Sequence, residues 1–217
     1  ISEGVYMNIA PFLGSFFIIL REGFEAMLIA MLVFTYLDKL NAQDKSKYVW
    51  YGITAGVIAS LGIALGFTYI SSLTHAHEEL FEGVTMLIAA GMLTYVAIWC
   101  HTARQHVEGT IKHAITTGTV IALSGSVCFA ILREGFEIVL FYAALFASSI
   151  AETFSIWLGG IAGVVVLFVI YVIMKKATNK VPTALFFNVS KYLLVILAIY
   201  FAYNGVHELL EVFEGSH

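Results

Sequence analysis

The stretch LREGFEAML, residues 20–28, places three charged residues in the middle of an otherwise apolar run. The stretch LREGFEIVL, residues 132–140, repeats the pentapeptide Arg-Glu-Gly-Phe-Glu. If both runs cross a bilayer, each charged side chain at the centre costs about 2.5–3.5 kcal/mol even on lenient scales. Six such groups would cost on the order of 15–20 kcal/mol, more than a typical folding free energy of about 5–15 kcal/mol. The charges must therefore face one another, a wet cavity or a bound ion.

The composition is that of a membrane protein. Of the 217 residues, 60% are hydrophobic and only 12% are charged, with a mean hydropathy of +0.89. A soluble domain averages about 45–50% apolar and about 25% charged residues. Apolar runs of about 20 residues, each long enough to cross a bilayer as a helix, recur along the chain. We predict an all-α integral membrane protein, a single transmembrane domain over 1–217. Its six predicted spans are 9–37, 48–70, 79–101, 114–147, 153–174 and 184–207.

The charges outside the spans predict the orientation. Lys and Arg concentrate on the cytoplasmic side of membrane proteins. In a six-span arrangement all of them fall on one side except Arg21 and Arg133, which lie inside the bilayer. Both termini are therefore predicted to lie outside. Any one acidic residue on the outer side could be an ordinary wet loop, but the set as a whole, without an outer Lys or Arg, would concentrate cations.

The duplicated pentapeptide predicts an internal repeat. One copy begins at Arg21 in span one and the other at Arg133 in span four. Because three spans separate them, their helices run in opposite directions. This is the pattern of inverted repeats in transporters, whose site lies near the midplane between the repeats. We expect repeat one over about 9–101 and repeat two over about 114–207. Pairs of glycines four apart predict close helix packing at Gly52 and Gly56, Gly62 and Gly66, and Gly159 and Gly163.

The spacing within each pentapeptide places its charges together. Glu22 and Glu25 are three apart and share a helix face, and Arg21 precedes Glu25 by the four residues that allow an ion pair. A buried salt-bridge clasp would explain the arginines but not the second glutamate on each helix. Carboxylates are hard oxygen ligands, which suit ferric iron, Mn, Mg or Ca better than Cu(I). We therefore favour an ion pathway, to which the second copy contributes Arg133, Glu134 and Glu137.

These residues resemble a known family. The doubled Arg-Glu-Gly-Phe-Glu motif and the outer ELFEG of residues 79–83 resemble the high-affinity iron permeases, the oxidase-dependent iron transporters of fungi and bacteria. The resemblance implies that iron passes along the motif glutamates and is received by an outer Glu-x-x-Glu. It implies metal ligands at Glu22, Glu25, Glu134 and Glu137, with Arg21 and Arg133 balancing their charge. The ending HELLEVFEGSH echoes HEELFEG at 77–83, so the expected outer metal-collecting residues are His77, Glu78, Glu79, Glu82, His207, Glu208 and Glu211.

The resemblance also implies partners. Fungal members of the family receive iron from a multicopper ferroxidase, and bacterial members sit beside periplasmic iron-binding or peroxidase-like proteins. The resemblance places the chain in a plasma membrane or bacterial inner membrane and leaves homo-oligomerisation open. We expect no permanently bound cofactor, since iron is the transported substrate. Family members usually have a seventh span, whereas this sequence predicts six.

The resulting hypothesis is a permease that moves Fe³⁺ into the cytoplasm and binds it less well as pH falls, because protons compete for the carboxylates. One alternative is a carrier for Fe²⁺, Mn²⁺ or Pb²⁺. Another is a proton-coupled carrier of a small solute, with the glutamates as proton relays. A membrane-embedded metalloenzyme ranks last, because the sequence has no HExxH motif and no histidine within the two charged stretches.

Overall fold

The structure is a computed structural model that describes residues 9–39, 41–73, 80–96, 98, 120–148, 153–176 and 183–214. Within these ranges all regular structure is helical and no strand occurs. The six α-helices of the described residues confirm the predicted all-α fold, and each overlaps one predicted span. They are α1 (Ile9–Lys39), α2 (Ser46–Leu73), α3 (Leu80–Val96), α4 (Val120–Ser148), α5 (Thr153–Lys176) and α6 (Thr183–Glu214). The helices α3 and α4 describe only part of their predicted spans.

Length and composition identify membrane-spanning helices among the six. Three apolar segments within the described residues are long enough to cross a bilayer: Gln43–Ile70, Thr153–Lys175 and Tyr192–Glu211. The helix α3 is apolar but shorter. The helices α1 and α4 have 31 and 29 residues, ample length for a span, and differ from the three by the charged motif in their middle. The fold is that of an all-α integral membrane protein.

The helix α1 ends in a left-handed turn. Asn41 has a φ of 50°, a conformation that asparagine tolerates better than most residues. The Ala42 N–H donates to the Leu37 carbonyl at 2.9 Å, and the Asn41 N–H donates to the Asp38 carbonyl at 3.2 Å. These two bonds form a Schellman motif, which satisfies carbonyls at the helix end. Lys39, in the last turn, adds a favourable charge at the negative end of the helix dipole.

The described residues divide into two compact units. The first unit comprises those of 1–21, 74–97 and 140–217, and it therefore contains α3, α5, α6 and the ends of α1 and α4. Its core is apolar and includes Met86, Phe141 and Phe201, all fully buried. The second unit comprises 22–73 and the described residues of 98–139. Both Arg-Glu-Gly-Phe-Glu copies fall in the second unit except for Arg21, the last residue of the first segment of unit one.

In the second unit α2 packs tightly on α4. A methyl group added at Gly52 would lie 2.6 Å from the Ser124 carbonyl oxygen, and one at Gly56 would lie 2.8 Å from that of Cys128. A carbonyl at that distance leaves no room for a side chain, so glycine lets the two backbones approach. This confirms the first predicted glycine pair as a helix-packing site.

In the first unit α5 makes the corresponding contact with α1. A methyl group at Gly159 would overlap the Phe12 carbonyl, and one at Gly163 would lie 3.0 Å from that of Phe16. Gly159 and Gly163 on α5 follow Gly52 and Gly56 on α2 by the same number of residues. The carbonyls contacted on α4 likewise follow those contacted on α1 by the number of residues that separates the two motif copies. The same contact is thus made twice, once in each unit. At the remaining predicted pair, a methyl group on Gly62 or Gly66 would meet no described atom within 4 Å, so that pair stays a prediction.

The helices α3 and α6 contact each other reciprocally in the first unit. A methyl group at Gly83 would lie 2.9 Å from Leu209 Cγ and 3.2 Å from the Gly205 carbonyl oxygen. A methyl group at Gly205 would lie 3.1 Å from Leu87 Cγ and 3.0 Å from the Gly83 carbonyl oxygen. Each helix therefore offers the other a glycine followed four residues later by a leucine. Of the predicted outer residues, Glu82 on α3 and Glu208 on α6 lie next to the residues of this crossing.

Candidate metal site

Three motif glutamates form a buried cluster in the second unit. Glu22 on α1 is fully buried, and on α4 the exposed fractions of Glu134 and Glu137 are 3% and 2%. One carboxylate oxygen from each lies within 4.8 Å of the other two. We call these three residues the carboxylate set. Glu134 and Glu137 come together because residues three apart share a helix face.

The Arg133 guanidinium lies against the carboxylate set. Its Nε donates a hydrogen bond to Glu137 Oε1 at 3.0 Å and lies 4.0 Å from Glu134 Oε1. It also interacts electrostatically with Glu25. The Arg133 side chain is 30% exposed, whereas its two carboxylate partners on α4 are buried. The arginine therefore offsets part of the negative charge while lying at the edge of the cluster.

The first motif copy is placed differently from the second. Arg21 is buried at 3% exposure, and Glu25 is half-buried. Glu25 is not one of the carboxylate set, although it was predicted to be equivalent to Glu137. The two helices thus contribute unequally, one glutamate from α1 and two from α4. A sequence in which the two motifs are identical gives no signal of this difference.

The geometry of the carboxylate set suits a small, hard cation. Three oxygens at the corners of a triangle with 4.8 Å sides lie about 2.8 Å from its centre. Typical distances from carboxylate oxygens to metal ions are about 2.0–2.6 Å, so a modest contraction would bring all three oxygens into contact with one ion. With Arg133 charged, three ionised carboxylates leave a net charge of about −2. Such a cluster attracts a multivalent cation and repels anions.

Only some of the predicted outer residues lie within the part of the chain that the structure describes. His77, Glu78 and Glu79 lie outside the described residues. Glu82 is half-buried near the start of α3, next to the glycine that contacts α6.

On α6, Glu208 is half-buried and precedes the leucine that contacts α3. His207 and Glu211 are exposed, with His207 Nδ1 3.3 Å from Glu211 Oε1. The structure therefore places Glu82 on α3 and Glu208 on α6 beside one helix crossing, which the similarity between their sequences did not predict.

A serine that was not predicted lies against the second motif. Ser60 on α2 is buried at 8% exposure, and a methyl group at Gly135 would overlap its Oγ. The available signal was the spacing of Gly52, Gly56 and Ser60, three small residues four apart. The sequence analysis predicted helix packing at the two glycines but not at the serine that continues their spacing.

Comparisons with known proteins identify the family. The profile of the iron permease FTR1 family matches residues 12–217. The chain is 29% identical over 198 residues to a Bacillus subtilis protein named iron permease EfeU, covering 87% of this chain and 40% of that relative. It is 29% identical over 212 residues to a Yersinia pestis protein named ferrous iron permease EfeU, covering 93% of this chain and 73% of the relative.

An Escherichia coli O6:H1 protein, also named ferrous iron permease EfeU, is 27% identical over 214 residues, covering 93% of this chain and 75% of the relative. The chain thus spans well under half the length of the Bacillus relative. No solved structure matches it. Because the family profile extends over nearly the whole sequence, from before the first motif copy to the last residue, the chain belongs to the iron permease FTR1 family.

Proposed function

We propose that the chain is an iron permease that carries iron across the membrane into the cytoplasm through the carboxylate set. The observation that carries this proposal is the convergence of three buried carboxylates within 4.8 Å. Buried acids cost free energy unless they are paired or hold a cation, and a cation shared by three carboxylates would offset the repulsion between them. Family membership supports iron as that cation.

The remaining predicted residues have proposed roles around the carboxylate set. Glu25, three residues after Glu22 on α1, would take over the ion as it leaves the set. Arg21 and Arg133 would balance the glutamates when no ion is bound, since a guanidinium has no lone pair with which to bind a metal. Glu82, at the α3–α6 crossing, would receive the ion from the outer surface.

The oxidation state has two candidates. Three carboxylates match the three charges of Fe³⁺, the ion predicted from the sequence. The hydrogen bond from Arg133 to Glu137 favours Fe²⁺ as the second candidate, because it reduces the net charge to about −2. The names of the Yersinia and Escherichia relatives also specify ferrous iron. If the ion is Fe³⁺, we propose that a ferroxidase or a periplasmic iron-binding or peroxidase-like protein supplies it.

The test is uptake of radiolabelled iron into proteoliposomes. Fe³⁺ held by citrate and Fe²⁺ under anoxia would be compared, with Glu134→Gln as the transport-deficient variant. Asp38→Asn is the matched control, since it neutralises an exposed carboxylate at the end of α1. We expect uptake of one iron form that Glu134→Gln loses and Asp38→Asn keeps. Mn²⁺ or Pb²⁺ uptake in place of iron, or a metal-independent flux driven by pH, would contradict the proposal.

A further inference from the structure

We infer that Ser60 and Gly135 act together as a spacer that sets the distance between α2 and α4 beside the carboxylate set. Ser60 is then a positioning residue for the metal site. The inference rests on the proposed function and concerns how the carboxylates are held at their spacing. Neither residue carries a charge or contacts the ion in this proposal.

The Ser60 hydroxyl is held in one orientation. Its Oγ donates a hydrogen bond to the Gly56 carbonyl at 2.8 Å, one turn earlier on α2. The bond satisfies the hydroxyl within its own helix, so the burial of the side chain requires no polar partner on α4. Ser60 therefore presents a fixed, small surface to the neighbouring helix.

Gly135 meets that surface directly. A methyl group at Gly135 would overlap Ser60 Oγ and lie 2.5 Å from Ser60 Cβ, whereas the nearest backbone atom, Ser60 Cα, is 3.9 Å away. Ordinary contacts begin at 3.4 Å, so an alanine here would require a shift of about 0.9 Å even if the hydroxyl rotated away. The clash comes from the serine side chain and not from the α2 backbone.

The contact lies inside the second motif. Gly135 immediately follows Glu134 and precedes Glu137 by two residues. A shift of α4 at this point moves both carboxylates relative to Glu22 on α1. Metal sites tolerate errors in ligand position of about 0.2–0.5 Å, less than the shift that an alanine requires.

The serine is a feature of only one repeat. The constant offset that relates the α2 glycines to the α5 glycines pairs Ser60 with Leu167. The α5 position that corresponds to Ser60 therefore carries a large apolar residue. The small polar residue is found where the neighbouring helix contributes two of the three carboxylates.

The experiment exchanges the two residues. Gly135→Ala, Ser60→Gly and the double variant would be purified in detergent micelles, with the folded fraction measured by size-exclusion chromatography. Iron affinity of that fraction would be titrated with Fe²⁺ under anoxia and with citrate-buffered Fe³⁺. Gly52→Ala is the matched control, because it disturbs the same helix pair at Ser124, about 16 Å along α4 from Gly135.

We expect Gly135→Ala to bind iron about 10–100-fold more weakly, the range typical of residues that support metal ligands. Ser60→Gly combined with Gly135→Ala should restore affinity to within about 3-fold of the wild type, because the pair again holds one small side chain. Gly52→Ala should lower the yield of folded protein and leave the affinity of the folded fraction unchanged. A role in folding alone would affect yield in both variants and affinity in neither.

Two results would overturn the inference while leaving the proposed function intact. One is wild-type affinity in folded Gly135→Ala, and the other is a double variant that binds no better than Gly135→Ala. A wild-type protein that binds and transports neither iron form would instead remove the proposed function, and the inference with it.

Discussion

Replacing Glu134 by glutamine should abolish iron transport and at the same time stabilise the metal-free protein. Two unit charges 4.8 Å apart repel by about 3.5 kcal/mol at an effective dielectric constant of about 20. Because the oxygens lie within 4.8 Å, an ionised Glu134 is repelled by Glu22 and Glu137 by at least about 7 kcal/mol in total. Its attraction to Arg133 at 4.0 Å offsets about 4 kcal/mol of this repulsion. Neutralising Glu134 should therefore stabilise the metal-free state by about 3 kcal/mol.

The assay is thermal unfolding in detergent micelles, with and without iron. Without metal, Glu134→Gln should unfold several degrees above the wild type. With iron at about 100 times its dissociation constant, the wild type should gain about 2.7 kcal/mol and the variant almost nothing. Asp38→Asn, which removes an exposed charge, should follow the wild type in both conditions.

Two outcomes would refute this reasoning separately. A less stable metal-free variant would show that the three carboxylates do not repel one another in the resting protein. A variant that iron stabilises as strongly as the wild type would show that Glu134 is not a ligand.

Three further outcomes are expected from the described contacts. Arg133→Ala should destabilise the protein by about 3 kcal/mol in thermal unfolding, because Glu137 loses its charged donor; a conservative Arg133→Lys should recover part of the loss. Ser15→Ala should cost about 1–3 kcal/mol in the same assay, since the Ile156 carbonyl loses its buried donor and Tyr142 loses its 2.7 Å hydroxyl partner. Adding Tyr142→Phe should cost little more. Gly62→Ala should leave stability unchanged or raise it by up to about 1 kcal/mol, because an added methyl group meets no described atom and alanine favours the helix. A clear loss of stability would reveal a contact on that face of α2.

The sequence predicted the helices and the residues that carry charge into them. Apolar length determines the spans, and the two Arg-Glu-Gly-Phe-Glu copies are visible without a structure. The ion pair between Arg133 and Glu137 follows from their four-residue spacing alone. Span length and the spacing of charges each depend on the residues of one helix, and they can therefore be predicted from that helix's sequence.

The sequence did not predict which side chains a neighbouring helix buries and which it leaves exposed. Identical motifs gave no reason to expect Glu22 to be buried and Glu25 half-buried, because the neighbours of each face decide burial. The same limit applies to Gly62, which fits the packing pattern of Gly52 but faces no described partner. Ser60 was missed for the same reason, since its importance depends on the α4 residue it meets. Roles of the site residues in transport stay predictions until the uptake experiment is made.

The crossing of α3 and α6 has a consequence for how such a chain can be built. Gly83 and Leu87 meet Gly205 and Leu209 as if one surface were pairing with a copy of itself. In symmetric homodimers the same patch of each subunit fills both sides of the interface. A polypeptide ending after α3 would carry one half of this contact, Gly83 and Leu87, and a polypeptide beginning at α4 would carry the other. Two separately expressed pieces, divided between α3 and α4, would therefore each present one side of a matching surface through which to reassemble.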